Sequence, residues 1–113
     1  MPQVNVFTAR RLDEAAKNAL QLEIGGSMPI LPGKDTDNTA ICVCDGCAMY
    51  RYGKPSNGAF VDIRLLKPSP EESKKAFAEK LFTILKDTLD IDPDRVYMNF
   101  IELEHWASGG GYS

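Results

Sequence analysis

The sequence has no apolar run near the roughly 20 residues that a membrane-spanning helix requires, so no membrane partner is expected. It also lacks an excess of basic charge. Thirteen Lys and Arg against 16 Asp and Glu give a net charge of −3. A nucleic-acid binder normally carries a basic face, so no nucleic-acid partner is expected either. Histidine is nearly missing, with His105 the single instance. Cysteines number three, an odd count that argues against a disulfide framework. The opening Met1-Pro2-Gln3-Val4-Asn5 has no basic region followed by an apolar one, so no signal peptide is expected. The expected location is cytoplasmic, with secretion by a route that needs no signal peptide left open.

What the 113 residues do contain is an ordinary globular balance, 43% hydrophobic and 26% charged. That supports a single domain over 1–113. Gln3 to Thr8 alternates and is rich in β-formers, which predicts a strand. Leu12, Ala15, Ala16, Ala19, Leu20 and Ile24 recur at helical spacing, and Gly25-Gly26 is expected to stop that helix. A loop follows to Asn38. Strands are then predicted over Thr39 to Cys44, briefly over Met49 to Tyr52, and over Ala59 to Leu66. In the last of these, Ala59, Val61, Ile63 and Leu65 share one face, and Phe60, Asp62, Arg64 and Leu66 share the other. Ser69-Pro70-Glu71-Glu72 reads as a capping box that opens a second helix. Ala76, Phe77, Leu81, Ile84, Leu85 and Leu89 form its apolar stripe. Val96 to Leu103 predicts a final strand, and the Gly-rich tail from Glu104 is expected to be irregular.

The order is strand, helix, strand, repeated twice. This predicts a two-layer α+β (α/β sandwich) fold of duplicated β-α-β units. A four-stranded mixed sheet would carry two helices on one face. An apolar second face would remain open, so an oligomer is expected.

Pro2 is the first candidate for chemistry. Removal of the initiator methionine would leave a secondary amine. A free α-amine has a pKa of about 7.7–8.0, and burial or a nearby cation lowers it further, toward the range of a general base. Many chains carry proline after methionine without any catalytic role.

Further residues give that terminus a context. Asp92-Pro93-Asp94-Arg95-Val96-Tyr97-Met98-Asn99-Phe100 resembles the last-strand motif of the macrophage migration inhibitory factor (MIF) family of the tautomerase superfamily. Pro2 after Met1, Gly33-Lys34 before the second strand, and Arg51-Tyr52-Gly53 followed by Ala59-Phe60-Val61 are similar to further stretches of that family in the same order. The resemblance implies a homotrimer with sites between subunits. It also implies a cofactor-independent keto-enol tautomerase of the phenylpyruvate type, in which dopachrome tautomerisation is a related activity. Pro2 would be the general base acting on a small α-keto acid. Lys34 would bind the substrate carboxylate or polarise its carbonyl. Leu66 would hold substrate through its backbone, and Tyr97 and Asn99 would reach the pocket from a neighbouring subunit. Abstracting a proton beside a carbonyl needs a base poised near neutrality and fixed positive charge where the enolate forms. Taken singly, a lysine after glycine is ordinarily just solvated, and Tyr and Asn two apart on a strand are ordinarily a structural pair. Their joint match carries the site.

The tail departs from the family pattern. Trp106 and Tyr112 are both candidates for the pocket aromatic, and Leu65-Leu66-Lys67 replaces a small-residue and glycine pattern, which would narrow the pocket. Cys42, Cys44 and Cys47 include a C-x-x-C, so a thiol oxidoreductase is a third reading beside the tautomerase. A strand end and a turn are a poor setting for it, and no metal or cofactor is expected. The second reading is a cytokine-like or other binding protein on the same fold with weak or absent catalysis, for which the sequence names no receptor.

Overall fold

A computed structural model describes residues 1–112. The four main strands are β1 (Gln3–Thr8), β2 (Ala40–Cys44), β5 (Ala59–Leu66) and β6 (Val96–Leu103), and the helices are α1 (Glu14–Ser27) and α2 (Glu71–Leu89). Two short hairpins complete the fold: β3 (Tyr50–Arg51) with β4 (Lys54–Pro55), and β7 (Ala107–Ser108) with β8 (Gly111–Tyr112). The main sheet runs β2-β1-β5-β6. β1 is parallel to β2, β5 is parallel to β6, and the central β1–β5 pair is antiparallel. Each parallel pair is joined through a helix, so the sheet is the duplicated β-α-β architecture anticipated from the element order.

Alternation along the strands decides which face is covered. Val4 and Val6 on β1, and Ala59, Val61, Ile63 and Leu65 on β5, are buried against Leu20 and Ile24 of α1 and Phe77, Leu81 and Leu85 of α2. Burying each large apolar side chain contributes roughly 1.5–3 kcal/mol. Ala76, placed on the buried stripe from its spacing, is instead exposed. Its neighbour Phe77 takes the core position, where it meets Phe100 edge-on with ring centroids 6.3 Å apart.

Helix ends depart from the sequence reading for specific reasons. Asp13 caps α1 by accepting the Ala16 amide at 2.8 Å. The helix does not stop at Gly25-Gly26 but continues to Ser27, and Gly25 is a packing residue rather than a stop: a Cβ there would lie 2.4 Å from Thr36 Oγ1. The capping box at α2 does not form. Pro70 occupies the cap position without a side-chain hydrogen bond, and the Ser69 amide donates to Glu102 Oε2 at 2.6 Å. A tertiary partner on β6 has replaced the local one. The 50s segment is a hairpin rather than a lone strand, turning through Tyr52-Gly53 with both φ values positive, 54° and 75°. The tail is a second hairpin about Gly109-Gly110, not an irregular end.

The open sheet face also differs from expectation. It is not continuously apolar. Phe7 stacks on Phe60 at 5.8 Å and Phe60 on Tyr97 at 5.0 Å, which makes an aromatic row across one end. Beside that row runs a polar network in which Gln3 donates to Asn5, and Asn5 and Arg64 both donate to Asp62 Oδ2, at 2.8, 3.1 and 2.9 Å. Asp62 is only 6% exposed, and these donors satisfy it there.

Candidate active site

Strand directions bring the starts of β1 and β2 and the ends of β5 and β6 to one end of the sheet. Pro2 sits there and is buried, whereas Met1 before it is 46% exposed. The Pro2 carbonyl accepts the Ala40 amide at 3.0 Å, which fixes this residue against the start of β2.

Lys34 lies in the loop that leads into β2 and is half-buried. Gly33 precedes it at φ 77°, a left-handed conformation that suits glycine, and the Lys34 amide donates to Leu31 O at 3.0 Å. Beyond it, Asp35 accepts the Asn38 amide at 3.0 Å, and Thr39 Oγ1 donates to Asp35 O at 2.6 Å. The close approach of Thr36 to Gly25 seats this loop on α1. A chain of local bonds and one missing side chain thus place the Lys34 loop at the same sheet end as Pro2.

Leu66 closes β5 opposite Leu103, half-buried, and belongs to that end too. Trp106 lines a cavity of about 280 Å³ there, together with Gln3, Arg64, Leu103, His105 and Ala107. Tyr112 is not among its walls. It stacks on His105 with centroids 5.5 Å apart and is 74% exposed. Of the two tail aromatics named from the sequence, Trp106 is the one beside the Pro2 end.

Within this chain Tyr97 and Asn99 do not lie beside Pro2. Gln3, next to Pro2, is in register with Arg64 and through it with Ile101. Tyr97 lies four residues before Ile101, about 13 Å along the strand, and two strands away. Asn99 is in register with Asp62, mid-sheet. Both are exposed on the open face.

The cysteines lie on and beyond edge strand β2. Cys42 and Cys44 are exposed, and Cys47 Sγ donates to Cys44 O at 3.4 Å. The turn between them is pinned by the Gly46 amide on Arg10 O (2.8 Å) and the Cys47 amide on Thr8 O (3.0 Å). Asp45 in that turn accepts the Leu12 amide, and this hydrogen bond, helped by Lys17, holds its carboxyl below the usual carboxylate range. Among the described residues, no three His, Cys, Asp or Glu side chains converge as a metal site.

Two groups that sequence reading passed over stand close to these residues. Arg64, held by Asp62, enters the cavity beside Gln3. The signal for it was an Asp-x-Arg pair on the open-face positions of β5. Arg51 lies over Tyr97, with its guanidinium carbon 5.8 Å from the ring centre. No local pattern joins residues 46 apart in sequence.

Comparison with known proteins bears on the whole chain. The family model described as macrophage migration inhibitory factor (MIF) matches residues 1–111. The structure is similar to the crystal structure of MIF2 from Leishmania major, with a TM-score of 0.91 at 17% identity over 100% of this chain and 97% of that one. It is similar to Pt0534 inactivated by 2-oxo-3-pentynoate, with a TM-score of 0.84 at 15% identity over 96% and 93%. It is also similar to an asymmetric trimer of wild-type fused 4-OT, with a TM-score of 0.81 at 17% identity over 96% and 94%. At these identities the likeness establishes the fold. No curated protein matches the sequence significantly.

Proposed function

The chain belongs to the macrophage migration inhibitory factor family, and on that premise we propose that it is a cofactor-independent keto-enol tautomerase whose base is the amine of Pro2. The observation that carries this reading is the setting of Pro2: buried, bonded through its carbonyl to Ala40, and at the same sheet end as the Lys34 loop.

While Met1 is attached, the Pro2 nitrogen is an amide nitrogen with no basicity. Removal of Met1 creates a secondary amine. Its burial disfavours the charged form and moves its pKa down toward neutrality. The amine takes a proton from the carbon next to the carbonyl of an α-keto acid. The C–H electron pair becomes the C=C bond, and the carbonyl π pair moves to oxygen. Proton delivery to that oxygen gives the enol and regenerates the amine. Lys34, a point charge on a flexible stem, binds the carboxylate and steadies the enolate. Leu66 and Trp106 supply the apolar wall.

Tyr97 and Asn99 enter this site from a second copy, which makes the working unit a homotrimer. Two features support that assembly: their separation from Pro2 within one protomer, and the likeness to a fused 4-OT protein described as a trimer. The likeness to Pt0534, a protein inactivated by a 2-oxo acid, supports α-keto acids as the substrate class.

Intact mass and phenylpyruvate tautomerisation measured on one preparation test the reading. A mass lacking Met1 together with turnover is expected. A processed chain without turnover leaves the binding-protein reading.

A further inference from the structure

Outside the Pro2 end, the β3–β4 hairpin builds a second constellation. Its turn residue Tyr52 is held at φ 54°, a left-handed conformation that is strained for a residue other than glycine. That turn lays the Tyr52 ring 5.1 Å from the Arg51 guanidinium carbon. Tyr97 flanks the same guanidinium at 5.8 Å, and Arg51 Nη1 donates to Asp94 O at 2.5 Å. Tyr97 is in turn fixed by its stack on Phe60. Arg51 is therefore pre-oriented between two rings and a backbone carbonyl, and it has no carboxylate partner among the described residues.

The guanidinium opens on a cavity of about 460 Å³ whose walls include Arg51, Lys54 and Arg95 with one carboxylate, Asp94. Arg95 lies 3.8 Å from Asp92. Among the described residues Arg51 and Lys54 have no such partner, so the cavity keeps an excess of positive charge. A planar guanidinium with unused N–H donors is suited to bidentate capture of a carboxylate.

We propose that Arg51 binds a second carboxylate of the substrate, so that the protein favours 2-oxo dicarboxylic acids over aromatic 2-oxo monocarboxylic acids. This rests on the reading that Tyr97 completes the site of a neighbouring copy, because Arg51 travels with Tyr97 to that site. The second carboxylate is bound and not transformed. The proton still moves from carbon to Pro2 and on to oxygen.

The test compares oxaloacetate with phenylpyruvate as substrates of the processed protein and titrates succinate, an unreactive diacid, by calorimetry. Arg51→Ala is expected to lower the oxaloacetate-to-phenylpyruvate ratio of kcat/KM at least tenfold, mainly through the oxaloacetate KM. It is also expected to abolish saturable succinate binding. Arg51→Lys should recover part of the ratio. Lys54→Gln changes an exposed residue without touching the Tyr97 stack, so it guards against a folding defect in Arg51→Ala. It should weaken succinate about threefold, the scale of one partly screened charge. An unchanged ratio, or equal losses for both substrates, overturns the proposal. If the wild-type protein turns over neither substrate, the tautomerase reading fails. Succinate then decides the carboxylate site alone: Arg51-dependent binding upholds it, and no saturable binding overturns it.

Discussion

The carbonyl of Pro2 accepts the amide hydrogen of Ala40 at 3.0 Å, one residue before the β1 ladder begins. That bond ties the front of the chain to the start of β2 and to the loop carrying Lys34. Pro2 is thereby held in a buried setting beside the edge of the sheet, close to a chain end that would otherwise fray.

Gly25 provides the first test of how the Lys34 loop is held. A methyl group there would meet Thr36 Oγ1 at 2.4 Å, so the loop must shift. Gly25→Ala should lower stability by about 1–3 kcal/mol through overpacking, despite alanine's better helix propensity. It should also raise the KM for phenylpyruvate several-fold. Urea unfolding and steady-state kinetics check both, and a stabilised variant with normal KM would show that the loop does not depend on this contact.

Acid should expose the contact that displaced the expected capping box. Hydrogen bonds from Lys74 and the Ser69 amide hold the Glu102 carboxyl below its ordinary value of 4.5. A carboxyl depressed in the folded state stabilises above its unfolded pKa, and that stabilisation disappears as pH falls through the folded pKa. Stability should therefore decline below about pH 4.5. Glu102→Gln should flatten that decline in a series of denaturation curves from pH 3 to 7. An unchanged slope would remove Glu102 as a contributor.

For the cysteines, the exposed Cys44 lies at the far end of β2 from Ala40, and Cys47 lies in the turn beyond it. Replacing both with serine should leave phenylpyruvate turnover within about twofold of wild type, since surface changes of this kind are usually worth no more than 0.5 kcal/mol. Loss of turnover would restore the thiol reading.

Sharing of the site between copies has its own signature. Pro2→Gly and Tyr97→Ala should each lose most activity alone. Unfolded together and refolded as mixed trimers, they should regain part of it, because some sites then combine an intact Pro2 with an intact Tyr97. Light scattering should report a trimer at micromolar concentration. A monodisperse monomer, or no recovery on mixing, would contradict a shared site.

Much of the architecture was legible because its signals are local and periodic. Alternation marked β5, with Ala59, Val61, Ile63 and Leu65 all buried, and helical spacing marked Phe77, Leu81 and Leu85. What escaped was decided by distant partners. Glu102 took the Ser69 amide, Thr36 made Gly25 a contact residue rather than a stop, and Asp62 with Asn5 and Arg64 turned the open face partly polar. The candidate site was read from the sequence only as a family resemblance carried by Pro2, Lys34 and the Tyr97-Asn99 strand. Nothing local in the sequence places Arg51 against Tyr97, because the hairpin turn and the start of β6 meet only in the fold.

The most direct measurement is an NMR titration of the Pro2 nitrogen in protein labelled with 15N-proline and shown by mass to lack Met1. The account expects a transition below the ordinary α-amine value of about 8, with kcat/KM for phenylpyruvate rising through the same pH and Pro2→Gly at least tenfold slower. A nitrogen that stays protonated past pH 9, or a chain that keeps Met1 and still turns over substrate, would contradict it.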